Sequence, residues 1–241
     1  MSASEPRPAI AGKVLQAIAQ GKYKGSDFNL SKLNPPVDDK SVQQLVAAIK
    51  QGGETFSALS FDENAIGNKG LECLATLSGL TSLDVNTNVF DDAGVMTLLS
   101  LTNLEYLNIS GSKATNAGII VLLSLPKLKF LRANGCASDS QELEDAVKAN
   151  RTLLRLDIEG GSVGAERLAR IQGYIARNRR EHSFAAASAK SGSQFWGHEE
   201  TADSAAKIKA KPAKNPRFRK DDSASPHSAT HGDASNGAKK C

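Results

Sequence analysis

The chain has 241 residues, a formal net charge of +4 and 3 cysteines. This length suits one sizeable domain or two small ones, and so few cysteines, without a C-x-x-C pair, argue against a disulfide framework and a zinc site. The charge is divided unevenly, because residues 1–165 hold 15 basic and 18 acidic side chains, whereas residues 166–241 hold 15 and 8. We therefore predict a slightly acidic folded part followed by a basic part with a separate role.

The first predicted element is a capping helix within residues 1–26. One helical face would carry its apolar residues, Ile10, Val14, Leu15 and Ile18. The N-terminus lacks the basic and apolar regions of a secretory signal peptide, and the longest apolar stretch, at 118–125, is too short to span a bilayer. We therefore expect a protein that does not enter a membrane. Its sparse, unpaired cysteines favour the reducing cytoplasm.

A pattern of apolar residues recurs along the middle of the chain. Blocks begin at residues 56, 80, 104, 128 and 153, and a degenerate unit at 27–49 precedes them. The first half of each block alternates apolar and polar residues, as at Leu83 and Val85, which predicts a strand. The second half spaces apolar residues by three or four, as at Val95 and Leu98, which predicts a helix. Stacked strand–helix units bury their apolar faces in one continuous core, so we predict an α/β solenoid.

These blocks resemble leucine-rich repeats, whose unit reads L-x-x-L-x-L-x-x-N-x-L-x-x-x-G-x-x-x-L-x-x-L. Within that family they are similar to the ribonuclease-inhibitor-like class and, through GLECLATL at 70–77, to the bacterial GALA type. The resemblance implies a curved parallel sheet on the concave face and helices on the convex face. It also implies that Asn64 and Asn88 bond neighbouring turns in a ladder, and that Cys136 at the same position is a buried structural residue.

We expect residues 27–181 to form this solenoid of about six units. A capping helix with a basic outer face should close it at about residues 165–180, with Arg167 and Arg170 among the arginines of that face. Residues 182–241 would then form a disordered basic tail, because they are rich in alanine, serine and glycine and poor in apolar residues.

The concave face is the predicted binding surface, since period-two alternation turns the residues between the leucines towards it. Tyr106 and Phe130 should point into solvent on neighbouring strands, with their backbones about 5 Å apart. In the first unit the matching residues are expected to be Asn29 and Ser31. Aromatic and arginine side chains dominate binding energy at interfaces, so we predict a partner site formed by Tyr106, Phe130, Arg132, Arg155, Asp84, Asn108 and Asp157. The alternative is that Tyr106 and Phe130 only pack on each other as a cross-strand pair.

Two groups of residues stand out in the predicted tail. Phe195 and Trp196 form an aromatic pair, which indicates a short docking motif or a segment that folds back onto the solenoid. Basic side chains that could contact nucleic-acid phosphates follow at Lys207, Lys209, Lys211, Arg217, Arg219 and Lys220. A nuclear-localisation signal and a merely solvated tail are the alternatives.

No catalytic motif accompanies the repeats. The 4 histidines all lie at or beyond residue 182, and no phosphate-binding loop or zinc-protease motif is present. We therefore expect no enzyme activity, no cofactor, no metal and no small-molecule substrate. The predicted function is a non-catalytic module that binds a protein partner, either as an intracellular adaptor or as a bacterial effector delivered into a host cell. The alternative is a structural subunit of a large, ribonucleoprotein-like complex anchored by the basic tail.

Overall fold

The computed structural model describes residues 10–23 and 25–192, with side-chain environments up to residue 186. Its strands are β1 Asp27–Asn29, β2 Ala58–Ser60, β3 Ser82–Asp84, β4 Tyr106–Asn108, β5 Phe130–Arg132 and β6 Arg155–Asp157. Its helices are α1 Gly12–Ala19, α2 Asp39–Gly52, α3 Asn68–Leu74, α4 Asp92–Thr97, α5 Asn116–Leu122, α6 Gln141–Ala149 and α7 Ala165–Gly192. None of the helices in these residues is both long and apolar enough to cross a membrane.

The six strands form one parallel sheet in the order β1-β2-β3-β4-β5-β6. From β2 to β6 the units are in step, and the first residues of these strands pair in register. The second residue of each is a leucine buried in the core: Leu59, Leu83, Leu107, Leu131 and Leu156. Consecutive helices pack beside one another. The predicted α/β solenoid is therefore confirmed, and we call the sheet face that points away from the helices the concave face.

The first unit has a different register from the expected one. Alignment of Asn29 with Ala58 is wrong, because β1 pairs Asp27 with Ala58 and Asn29 with Ser60. Phe28 therefore takes the place of the inward leucine, and its ring lies 6.0 Å from that of Phe56. An aromatic residue at the leucine position concealed the register in the sequence.

Asparagine side chains join the turns that follow neighbouring strands. Oδ1 of Asn88 accepts a hydrogen bond from the backbone N–H of Ile66 at 2.9 Å, and its Nδ2 donates to the carbonyl of Phe61 at 2.9 Å. Asn64 makes the equivalent bonds one unit earlier. Cys136 takes this position further along, where it is 8% exposed and its thiol donates to a carbonyl of the preceding unit. The predicted ladder and the buried structural role of Cys136 are confirmed.

A second ladder, which the sequence analysis missed, joins the entrances of the helices. Oδ1 of Asp92 in α4 accepts hydrogen bonds from the backbone N–H groups of Thr115 at 2.8 Å and Gly118 at 3.1 Å, one unit later. Four further side chains bond in the same way to the unit after their own: Asp39, Asn68, Asn116 and Asp139. Except for the bond from Ser138 to Asn116, these bonds satisfy N–H groups that the start of a helix would otherwise leave without a partner.

Helices close both ends of the solenoid. At the first end, α1 packs against α2 and buries Ile18, as predicted. At the other, α7 packs against α6. It continues to Gly192, so residues 182–192 are helical rather than part of the predicted tail. The reason is the run of alanines after His182, since alanine has the highest helix propensity.

The arginines of α7 do not all form the free outer face that was expected. Arg167 Nη1 and Arg170 Nε both donate to the carboxylate of Glu144 in α6, at 2.9 and 2.7 Å. Glu144 is only 5% exposed, and a buried carboxylate requires such partners. These two arginines therefore attach the capping helix to the helix of the preceding repeat, α6.

Candidate functional site

Strands β4, β5 and β6 place the predicted aromatic and basic residues in one row. Tyr106 pairs with Phe130, which pairs with Arg155. We call Tyr106 and Phe130 the aromatic row. Tyr106 and Phe130 are both half-buried, whereas Arg155 is exposed. The rings are thus accessible from the concave face but more covered than expected for side chains that point into open solvent.

A second row, two residues further along the strands, holds Arg132 and Asp157. Arg155 Nε donates to both carboxylate oxygens of Asp157, at 2.9 and 3.0 Å, and Arg132 Nε lies 3.4 Å from Oδ2 of the same carboxylate. This Nε atom is covered by protein and makes no hydrogen bond within the described residues. Asp157 therefore holds two guanidinium groups side by side next to the aromatic row.

The electrostatics of Tyr106 reflect these neighbours. Burial raises the pKa of the Tyr106 phenol, and the negative charge of Asp84 raises it further. A side-chain hydrogen bond with Arg132 acts in the opposite direction. Asp157 meanwhile raises the pKa of Arg155 by accepting its hydrogen bonds. The Tyr106 phenol thus stays neutral, and the Arg155 guanidinium stays cationic, at neutral pH.

Asp84 and Asp62 lie on the acidic side of the aromatic row. The backbone N–H of Asn86 donates to Asp84 Oδ1 at 3.0 Å, and Asn86 Nδ2 donates to Asp62 Oδ1 at 2.6 Å. Burial is the main cause that raises the pKa of Asp84, and the charge of Asp62 adds to the increase. Asn86, which the sequence analysis did not single out, therefore holds the two carboxylates close together.

Asn108 does not offer the exposed contact that was predicted. It is 3% exposed. Its Nδ2 donates to Asp84 Oδ2 at 3.2 Å, and its Oδ1 accepts from the backbone N–H of Ser110 at 3.1 Å. Residues on the strands at either side, Asp84 and Arg132, flank it. The alternation of side chains correctly gives its face of the sheet, but Asn108 is buried there and bonded to Asp84, so it positions that carboxylate.

The predicted tail residues lie outside the part of the chain that the structure describes. They are Phe195, Trp196, Lys207, Lys209, Lys211, Arg217, Arg219 and Lys220. Their proposed roles stay predictions. Within residues 10–192, no group of three or more histidine, cysteine, aspartate or glutamate side chains could hold a metal ion.

The repeats themselves match a known family. A family model described as Leucine Rich repeat matches residues 54–75 and 79–99, which are two consecutive units of the solenoid. These units are leucine-rich repeats. The predicted family is therefore confirmed, while the narrower likeness to the GALA type stays a prediction. No curated protein matches the chain.

Solved structures with a similar fold include other repeat proteins. The tropomodulin C-terminal domain of Caenorhabditis elegans is 15% identical with a TM-score of 0.46, over 73% of this chain and 97% of that one. Leiomodin-1 actin-binding site 2 is 15% identical with a TM-score of 0.47, over 78% and 100%. An internalin from Listeria monocytogenes is 13% identical with a TM-score of 0.37, over 66% and 59%. At these scores and identities, the similarities carry no information about the partner of this chain.

Proposed function

We propose that this leucine-rich-repeat protein is a non-catalytic module that binds a protein partner on its concave face. One observation carries the proposal: Tyr106, Phe130 and Arg155 stand in register on three adjacent strands of a sheet face that points away from the helices. Aromatic and arginine side chains are the residue types that contribute most to binding at protein interfaces.

The arrangement of the arginines supports the proposal. Because Arg155 donates to Asp157 through Nε alone, its two terminal nitrogens have no hydrogen-bond partner among the described residues. A guanidinium fixed in this way loses little conformational entropy when it binds a carboxylate or carbonyl of a partner. Both rings of the aromatic row are anchored on strands, so they too are ordered before a partner arrives.

The same contacts favour binding over catalysis. Asp84 is held by Asn86 and Asn108, and Asp157 is held by Arg132 and Arg155. The hydrogen bonds and ion pairs of these carboxylates thus go to amides and guanidinium groups, which supports a role in holding the surface in place. We place the protein in the cytoplasm as part of the proposal, because Cys73 and Cys136 are both free thiols.

The experiment compares capture of partners by the full chain and by two matched variants. Tyr106→Ala with Phe130→Ala removes the aromatic row, whereas Met96→Ala with Leu99→Ala removes similarly apolar side chains that are 55% and 37% exposed on the helical side. Bound proteins are quantified by mass spectrometry, and circular dichroism verifies the fold of each variant. We expect the first variant to lose the captured proteins and the second to retain them. Equal capture by all three forms would refute a concave binding surface.

A further inference from the structure

The concave face carries its charges unevenly from strand to strand. Strands β2 and β3, with the three residues after each, hold three carboxylates and no basic side chain: Asp62, Glu63 and Asp84. Lys32 of the preceding unit pairs with Glu63 at 2.8 Å. Strands β5 and β6, with the turns after them, hold two basic and two acidic side chains: Arg132, Arg155, Asp157 and Glu159. Uncharged Tyr106 lies between the two halves. One half of the face therefore has a net negative charge, which comes from Asp62 and Asp84, and the other half is balanced.

The carboxylates of the two halves are also held differently. In the balanced half, Asp157 binds two arginines. In the acidic half, Asp62 and Asp84 are held by the neutral amides of Asn86 and Asn108. Neutral donors orient a carboxylate without cancelling its charge, so two adjacent negative charges remain on this part of the face.

A cation placed between these carboxylates would be favoured twice. Burial is the main cause that raises the pKa of Asp84, and the like charge of Asp62 raises it further. A cation would offset the repulsion between these two carboxylates. It would also lie beside the ring of Tyr106 on the next strand, and aromatic rings attract cations that approach their faces. An anion at the same place would meet Asp62, Asp84 and Glu63 and would be repelled.

We propose that the partner is a basic protein segment, which sets a lysine or arginine side chain over β2 and β3 and an apolar side chain over β4 and β5. The inference rests on the proposed function and adds the chemistry of the partner to it. The cation lies between Asp62 and Asp84, and the apolar side chain lies on Tyr106 and Phe130. The net negative charge of this face favours a positively charged partner. The position of the aromatic row relative to Asp62 and Asp84 determines where the apolar side chain of the partner lies relative to its basic one.

The sheet also sets the spacing between the two anchors. Strands lie about 4.8 Å apart, so β3 and β5 are separated by about 10 Å. An extended segment that crosses the strands covers this distance in about three residues at roughly 3.3 Å each. A helical segment covers it in about seven residues at 1.5 Å each. Only residues an even number of positions apart share a face of an extended chain, so the expected pattern in an extended partner is a basic residue and an apolar residue two or four positions apart. In a helical partner the expected separation is about seven positions.

The test selects peptides from a random displayed twelve-residue library on the immobilised full chain. Four forms are used: the wild type, Asp62→Asn with Asp84→Asn, Tyr106→Ala with Phe130→Ala, and a control, Glu72→Gln with Glu166→Gln. The control removes the same two charges from exposed helical positions. Asparagine at position 62 keeps the oxygen that accepts from Asn86, whereas asparagine at position 84 keeps an acceptor for only one of Asn86 and Asn108. Circular dichroism verifies the fold of all four forms.

The wild type and the control should enrich peptides with the basic–apolar pattern. Loss of Asp62 and Asp84 should weaken binding of a synthetic copy of the best peptide by about tenfold and reduce its dependence on salt. Enriched peptides that are acidic or neutral, and that still need Tyr106 and Phe130, would overturn the basic partner while leaving the proposed function intact. Enrichment no greater on the wild type than on the double-alanine variant would contradict the proposed function itself.

Discussion

Replacement of Asn88 by alanine should destabilise the solenoid strongly, although the change removes no apolar contact. Asn88 is 5% exposed, and it joins three segments by accepting from Ile66 N–H and donating to the carbonyls of Phe61 and Val85. One buried N–H left without an acceptor costs about 1–3 kcal/mol, and each lost bond to a carbonyl about 0.5–1.5 kcal/mol. Since the carbonyls keep part of their hydrogen bonding, we expect a total of about 2–4 kcal/mol.

The assay is urea unfolding followed by far-ultraviolet circular dichroism. With a slope of about 2 kcal/mol per molar urea, the midpoint of Asn88→Ala should fall by about 1–2 M. The matched control is Asn103→Ala, because Asn103 is only half-buried and bonds to Ser78 O at 3.1 Å and to Lys127 at the protein surface. Its loss should cost below about 0.5 kcal/mol. Equal midpoints for the two variants would refute the reasoning that the turn ladder holds the units together.

Two further predictions concern the helices. Gly94→Ala should destabilise the protein by about 1–3 kcal/mol in the same assay, because the added Cβ would lie 2.5 Å from Asn68 Oδ1 and 3.1 Å from Asn68 Cα. The control Gly173→Ala, whose Cβ would have nothing within 4 Å, should instead stabilise the protein by about 0.5–1 kcal/mol. The opposite order of stabilities would contradict the close packing of the helix entrances. A hydrogen bond from Arg170 holds the pKa of Glu144 below its ordinary value of 4.5, so the stability this carboxylate provides is present above that value and is lost as the pH falls through the lower folded pKa. Glu144→Gln should therefore lower the melting temperature at pH 7 and lower it less at pH 3, whereas a loss independent of pH would rule out this linkage.

The sequence predicted the sheet and its inner face well because both depend on a local period. Leucines repeat at the same place in each unit, so Tyr106, Phe130 and Arg155 could be assigned to one row before the structure was known. The register failed only in the first unit, where Phe28 replaces the leucine. The ladder between helix entrances left a signal in the sequence, because Asn68 and Asp92 stand 24 residues apart. Its hydrogen bonds join different units, so the sequence of one unit could not predict them.

Burial and pairing within the concave face could not be predicted from one unit. Asn108 is buried between two strand neighbours that lie 24 residues away on either side, Asp84 and Arg132. The same limit applies to Arg167 and Arg170, whose partner Glu144 lies on the preceding helix. Alternation gives the direction of a side chain, whereas its exposure depends on the length and charge of neighbours in adjacent units.

Hydroxyl-radical footprinting of the protein with and without a captured partner tests the concave binding surface most directly. Tyr106 and Phe130 report on the concave face, and Met96, which is 55% exposed on the helical side, serves as an internal reference. We predict that the partner reduces oxidation of Tyr106 and Phe130 several-fold and leaves that of Met96 unchanged. Protection of Met96 with unchanged oxidation of the two rings would place the partner on the helices and contradict the account.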